Sequence, residues 1–199
     1  MSKLTISKNK LGLQGAKHLA AVIPLMKNLK YIDLSHNDIG DTGISFILKS
    51  LKAQASIQYL DLSGNGIGKT AQSSETLDVL SDFLYGNNML ETLKLNWNNL
   101  RGEKSEKIID TLVSMNHLKE VELNNNLLGM ASEGKVAPIN KLSDVLIKTN
   151  SLEKIDLSYN FIDQKSIFCI AHGLKFTSSL KEINVEGNPI GPVGLRFMI

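Results

Sequence analysis

The sequence predicts an α/β solenoid. Its form is a curved right-handed arc of about seven 28-residue repeats, with a parallel sheet on the concave face and helices on the convex face. Three observations predict it. Leucine and asparagine, 30 and 18 of the 199 residues, recur in one fixed phase. The asparagines of that phase are Asn9, Asn37, Asn65, Asn98, Asn126, Asn160 and Asn188, spaced by 28, 28, 33, 28, 34 and 28 residues. After each asparagine, apolar residues return at three- and four-residue intervals, the period of a helix with one buried face.

The strand halves come first in each unit. LKYIDLSHNDIG begins at Leu29 and IQYLDLSGNGIG at Ile57. LETLKLNWNNL, LKEVELNNNLLG, LEKIDLSYNFI and LKEINVEGNPIG follow from Leu90, Leu118, Leu152 and Leu180. The opening MSKLTISKNKL fits the same template, with Met1 in the leading apolar position and already in a strand. Alternation over xLxL reads as a short strand. The asparagine stands where the chain leaves the sheet. Its amide both donates and accepts, so it is expected to satisfy backbone groups of its own turn and the next, stacking into a ladder.

The helical halves follow. Ile44, Ile47, Leu48 and Leu51 form one apolar stripe, with Asp41 or Thr42 as the expected cap. Leu77, Leu80 and Leu84 form another, and Ile108, Ile109 and Leu112 a third. Pro138 suits a first helical turn ahead of Leu142, Val145 and Leu146. Ile167, Ile170 and Leu174 complete the set. Strands sit about 4.8 Å apart and helices 8–10 Å apart, so a stack of such units bends with its strands inside.

Composition narrows the function. A net charge of +2 argues against a polybasic nucleic-acid binder. The single cysteine, Cys169, excludes an intrachain disulfide framework. There is no apolar run of the roughly 18 residues a membrane helix needs, no signal-like start and no Asn-x-Ser/Thr sequon, which together favour a cytoplasmic protein. One domain is expected over residues 1–199, complete or as part of a longer array.

The shared template LxxLxLxxNxL is the leucine-rich repeat signature. The 28-residue unit, with NxIGxxG in Asn37 to Gly43 and again in Asn188 to Gly194, resembles the ribonuclease-inhibitor class of these repeats over all 199 residues. That class includes the recognition arrays of NOD-like receptors, the Ran GTPase-activating proteins and the tropomodulin-like actin regulators. The resemblance implies an intracellular module that works by binding another protein. Two departures stand out. Neither end carries an obvious polar cap, so the ends are expected to be exposed, self-associating or joined to further repeats. Two units are long, with extra residues around Lys69–Ser74 and Met130–Val136, and these should emerge on one rim of the arc.

Phase also assigns the concave surface. The third, fifth and seventh template positions point away from the core, and the eighth lies at the edge. Tyr31, Tyr59, Trp97 and Tyr159 all fall in this set, leaving only Tyr85 among the Tyr and Trp residues outside it. Tyr31 and Tyr59 should sit side by side, about 5 Å apart. Tyr and Trp are frequent interface anchors. The set holds four lysines (Lys3, Lys8, Lys94, Lys154) and seven acids (Asp33, Asp61, Glu120, Glu122, Asp156, Glu182, Glu186). The expected protein-binding residues are therefore Tyr31, Asp33, Tyr59, Asp61, Lys94, Trp97, Glu122 and Tyr159. The expected partner is a protein with a basic patch, with no role for nucleic acid or membrane.

Other chemistry finds little support. SGNGIGKT, Ser63 to Thr70, ends like a phosphate loop but lacks its first glycine. His18, His36, His117 and His172 do not converge with Cys169, which should be a small buried hydrophobe. Arg101 breaks its unit's NxLG pattern and reads as a surface arginine. No catalytic residue, cofactor or metal is expected, and the protein is read as a non-enzyme. The alternatives are a GTPase-activating regulator like the Ran activators, whose acidic tail this chain lacks, and a structural segment of a larger assembly.

Overall fold

The computed structural model describes every residue except 53, 55, 72, 132 and 199. Seven three-residue strands form one parallel sheet in sequence order: β1 Lys3–Thr5, β2 Tyr31–Asp33, β3 Tyr59–Asp61, β4 Thr92–Lys94, β5 Glu120–Glu122, β6 Lys154–Asp156 and β7 Glu182–Asn184. The register never slips. Leu4, Ile32, Leu60, Leu93, Val121, Ile155 and Ile183 pair in one row, so every core leucine position faces the same side.

Each strand is followed by a helix: α1 Gly12–Val22, α2 Gly40–Leu51, α3 Ser73–Gly86, α4 Gly102–Thr111, α5 Leu142–Lys148, α6 Gln164–Leu174 and α7 Gly191–Met198. Each packs on its neighbours along the array. The core lies between sheet and helices, where the predicted stripes of α2 to α5 are buried. The stripe of α6 is buried at Ile167 and Ile170, while Leu174 is only half-buried.

Four local expectations are corrected. Met1 lies outside the first strand, which begins at Lys3. Pro138 opens a 3-10 turn, Pro138–Lys141, that precedes α5, because the long fifth unit must first bring its chain back to the helix layer. Neither Asp41 nor Thr42 caps α2, whose N-cap residue Ile39 makes no side-chain bond. Asp41 is instead buried, and its carboxylate accepts from Gly68 N, Thr70 N and Thr70 Oγ1 of the following repeat at 2.7–2.9 Å. Cys169 is half-buried. Burial, and then the nearby Asp163, push its thiol above the ordinary range.

The asparagine ladder runs the length of the array. Asn65 Oδ1 accepts from Asn37 N at 3.2 Å and Ile39 N at 3.4 Å, and its Nδ2 donates to Leu34 O and Leu62 O. Asn37, Asn98, Asn126, Asn160 and Asn188 repeat the pattern wholly or in part. Each amide therefore serves its own turn and the preceding one, not the following one. The asparagine projects toward the earlier repeat and accepts from the N–H groups of its turn.

Candidate functional site

The concave face is built from strand positions whose side chains point away from the core. Tyr31 and Tyr59 are paired residues of β2 and β3, and their rings stack at 4.0 Å with an interplanar angle of 7°. Lys3 Nζ lies 4.1 Å from the Tyr31 ring, and Lys94 Nζ 5.9 Å from the Tyr59 ring. A column of cation, two stacked rings and cation thus crosses four strands. The Tyr59 hydroxyl is held well above its ordinary range by burial, by the hydrogen bond with Tyr31 and by Asp61, so it stays protonated.

A polar network continues the column. Lys94 Nζ bonds Glu122 Oε1 at 2.6 Å, and Asn96 Nδ2 donates to Glu122 Oε2 at 2.6 Å. Asn124 N donates to Asn96 Oδ1, and Asn124 Nδ2 to Asp156 Oδ2. Burial tends to lower the ammonium pKa of Lys94, but Glu122, Glu120 and Asp61 outweigh it and raise it. Lys94 and Glu122 are therefore satisfied within the fold, each side chain about one-fifth exposed.

The aspartates of the DLS tripeptides have a local task. Asp33 Oδ1 accepts from Ser35 N and Ser35 Oγ, and Asp156 Oδ1 accepts the same pair from Ser158. Asp61 Oδ1 accepts from Ser63 N at 2.9 Å. These turns tighten the exit from each strand. Asp61 is raised above the usual carboxylate range, by burial first and by Asp33 as well, although bonds from Ser63 oppose this.

The eighth position is more than an edge. It takes a positive φ in every repeat: Lys8, His36, Gly64, Trp97, Asn125, Tyr159 and Gly187 lie between 53° and 67°. The sheet ladder reaches this residue, as in His36 N to Ser63 O and Trp97 N to Asn124 O, and holds the left-handed turn in place. A methyl added at Gly64 would lie 2.3 Å from His36 Nδ1, and one at Gly187 would lie 2.4 Å from the Tyr159 ring. His36 and Tyr159 thus rest on the glycine of the next repeat. Trp97 is followed by Asn125 and has no such bed, so it stands 60% exposed. Tyr159, at 48%, also donates from its hydroxyl to Glu186 Oε1, which raises its pKa. Sequence phase placed all four aromatics on this face. The left-handed turn beneath Trp97 and Tyr159 had no side-chain signal beyond the two glycines.

The phosphate-loop resemblance finds no vacancy. Gly68 N–H, Thr70 N–H and the Thr70 hydroxyl all donate to Asp41, so a carboxylate fills the place an anion would take. Among the described residues no group of three or more His, Cys, Asp or Glu can hold a metal ion. Nor is any described helix long and apolar enough to cross a membrane.

The sequence matches the family described as Leucine Rich repeat over residues 26–48, 53–70, 86–103 and 178–198. The same template and asparagine ladder recur between and beyond those stretches. The chain carries leucine-rich repeats and has their fold. No curated protein matches it in sequence. Solved structures share the leucine-rich repeat fold. The tropomodulin C-terminal domain from Caenorhabditis elegans is 12% identical with a TM-score of 0.61, over 80% of this chain and 91% of that one. The leiomodin-1 actin-binding site 2 is 13% identical with a TM-score of 0.56, over 79% and 88%. The TLR13–ssRNA13 complex is 17% identical with a TM-score of 0.54, over 92% of this chain and 22% of that one.

Proposed function

We propose that this leucine-rich repeat protein is a non-catalytic binding module, one domain over residues 1–199, that takes a protein partner on its concave sheet. The observation that carries the reading is the clustering of Tyr31, Tyr59, Trp97 and Tyr159 on one face, with the most exposed of them, Trp97, making no ring contact with any described residue. Rigid, pre-ordered aromatics lose little freedom on binding and supply large contact areas. Asp33, Asp61, Lys94 and Glu122 surround them, and the whole face carries a net charge of −3. That balance favours a partner with a basic patch over a nucleic acid, whose phosphates it would repel. The leiomodin-1 structure is named as an actin-binding site, which supports protein binding as a use of this fold. A full helix after almost every template asparagine supports the ribonuclease-inhibitor-like class, and a lone cysteine is in keeping with a cytoplasmic protein.

Affinity capture from a lysate tests the reading, comparing wild type with the triple variant Tyr31→Ala, Tyr59→Ala, Trp97→Ala and with Trp97→Ala alone. Circular dichroism checks that all are folded. The expected result is a protein retained by wild type, weakened by Trp97→Ala and lost in the triple variant. Equal capture by all three would move the site off the concave sheet.

A further inference from the structure

A second concavity lies where the two long units meet. A cleft of about 510 Å³ opens on the rim over the start of α4, lined by Lys69 and Thr70 from the first insertion and by Met130 and Ala131 from the second. Between them stand Arg101 and Lys104 of the fourth repeat. The two insertions therefore wall in a repeat of standard length, an arrangement that follows directly from their spacing two units apart.

The charges in this cleft are uncompensated. Lys69, Arg101 and Lys104 are exposed, and none has an ion-pair partner among the described residues. The one acid in the lining, Glu103, is engaged by Lys135 at 3.6 Å. Met130, 45% exposed, adds apolar surface, and Leu77 lies buried in the floor. The size falls within the roughly 300–1,000 Å³ of ordinary ligand clefts.

We propose that this cleft docks an acidic peptide segment, two or three carboxylates flanking one apolar side chain. Arg101 suits bidentate pairing with a carboxylate, and Lys69 and Lys104 act as point charges on either side. Met130 receives the apolar side chain, above the floor at Leu77. A peptide fits better than a compact phosphate for two reasons. The backbone donors of the neighbouring loop, Gly68 N and Thr70 N, are already spent on Asp41. The three cations also come from two repeats, Lys69 from the loop before α3 and Arg101 and Lys104 from the start of α4, which suits charges carried at intervals on a chain. The proposal does not depend on the concave site.

The test is fluorescence anisotropy on the full chain with a labelled Glu-Asp-Phe-Glu-Glu peptide. Its amide counterpart, Gln-Asn-Phe-Gln-Gln, is the control, and inorganic phosphate and ATP are competitors. Wild type should bind the acidic peptide saturably, more weakly as salt is raised. Arg101→Gln with Lys104→Gln should weaken binding about tenfold or more. A charge-matched pair on other faces, Lys27→Gln with Lys175→Gln, should leave it unchanged. Amide shifts in an NMR titration should concentrate at residues 68–70 and 99–104. The proposal is overturned by equal binding of the amide peptide, by equal loss in both double variants, by no saturable binding up to about 1 mM, or by displacement with phosphate or ATP at lower concentration than the peptide.

Discussion

Asn65 shows how much one side chain carries in this fold. Its carbonyl oxygen takes two backbone N–H groups of the preceding repeat, while its amide nitrogen is shared between carbonyls of two repeats. It is completely buried, so water cannot replace those bonds. Asn65→Ala should cost about 3 kcal/mol, the upper end of the penalty for stranded buried polar groups. Asn9 stands at the exposed start of the ladder, and its amide donates to Ser7 O. Asn9→Ala should cost less than about 1 kcal/mol, within the range for a half-solvated bond. Urea unfolding of both variants checks the contrast, and equal losses would mean the ladder is not what holds the turns. The DLS aspartates show a related economy. Each organises its own turn through one oxygen, which takes the N–H of the serine two residues on.

At the level of elements, helix α2 stabilises a loop it does not belong to. Asp41, in its first turn, reaches forward one repeat and fastens Gly68 and Thr70 at the root of the first insertion. The insertion is therefore anchored at its base. Asp41→Ala leaves two backbone N–H groups and a hydroxyl without their acceptor. It should cost about 2–3 kcal/mol, as expected for hydrogen bonds to a charged group. Hydrogen exchange at residues 68 and 70 should accelerate more than at the β3 ladder. Uniform acceleration would instead indicate global destabilisation.

At the scale of the whole molecule, charge alternates along one row from the fourth repeat to the seventh. Glu91, Lys119, Glu153 and Lys181 occupy one template position in consecutive units, and each backbone N–H bonds the carbonyl before it. Lys119 bonds Glu91 at 2.7 Å and Lys181 bonds Glu153 at 2.8 Å. These bonds hold both glutamates below the usual carboxylate range. In a parallel stack, identical positions lie side by side, so like charges in one row repel. Glu91→Lys sets cations opposite one another. Its Tm should fall below wild type at low salt, and the gap should close near 1 M salt, where the Debye length is about 3 Å. A gap unchanged by salt would assign the loss to packing.

Much of this was legible in the sequence because a repeat protein states its register many times over. Seven in-phase copies of the aliphatic and asparagine template determined the order of the strands, their parallel pairing, the buried row and the four aromatics on the concave face. Period-2 alternation and a 28-residue spacing permit hardly any other arrangement. What only the tertiary structure decided are contacts between repeats at unlike positions. The direction of the asparagine amides, the reach of Asp41 into the next loop and the bond from Asn96 to Glu122 each join residues 26 to 37 apart in sequence. The meeting of the two insertions around Arg101 joins residues further apart still. A template describes what a repeat presents to an average neighbour. The particular side chains across each junction settle which donor finds which acceptor, and which charges, such as Lys69, Arg101 and Lys104, are left without one.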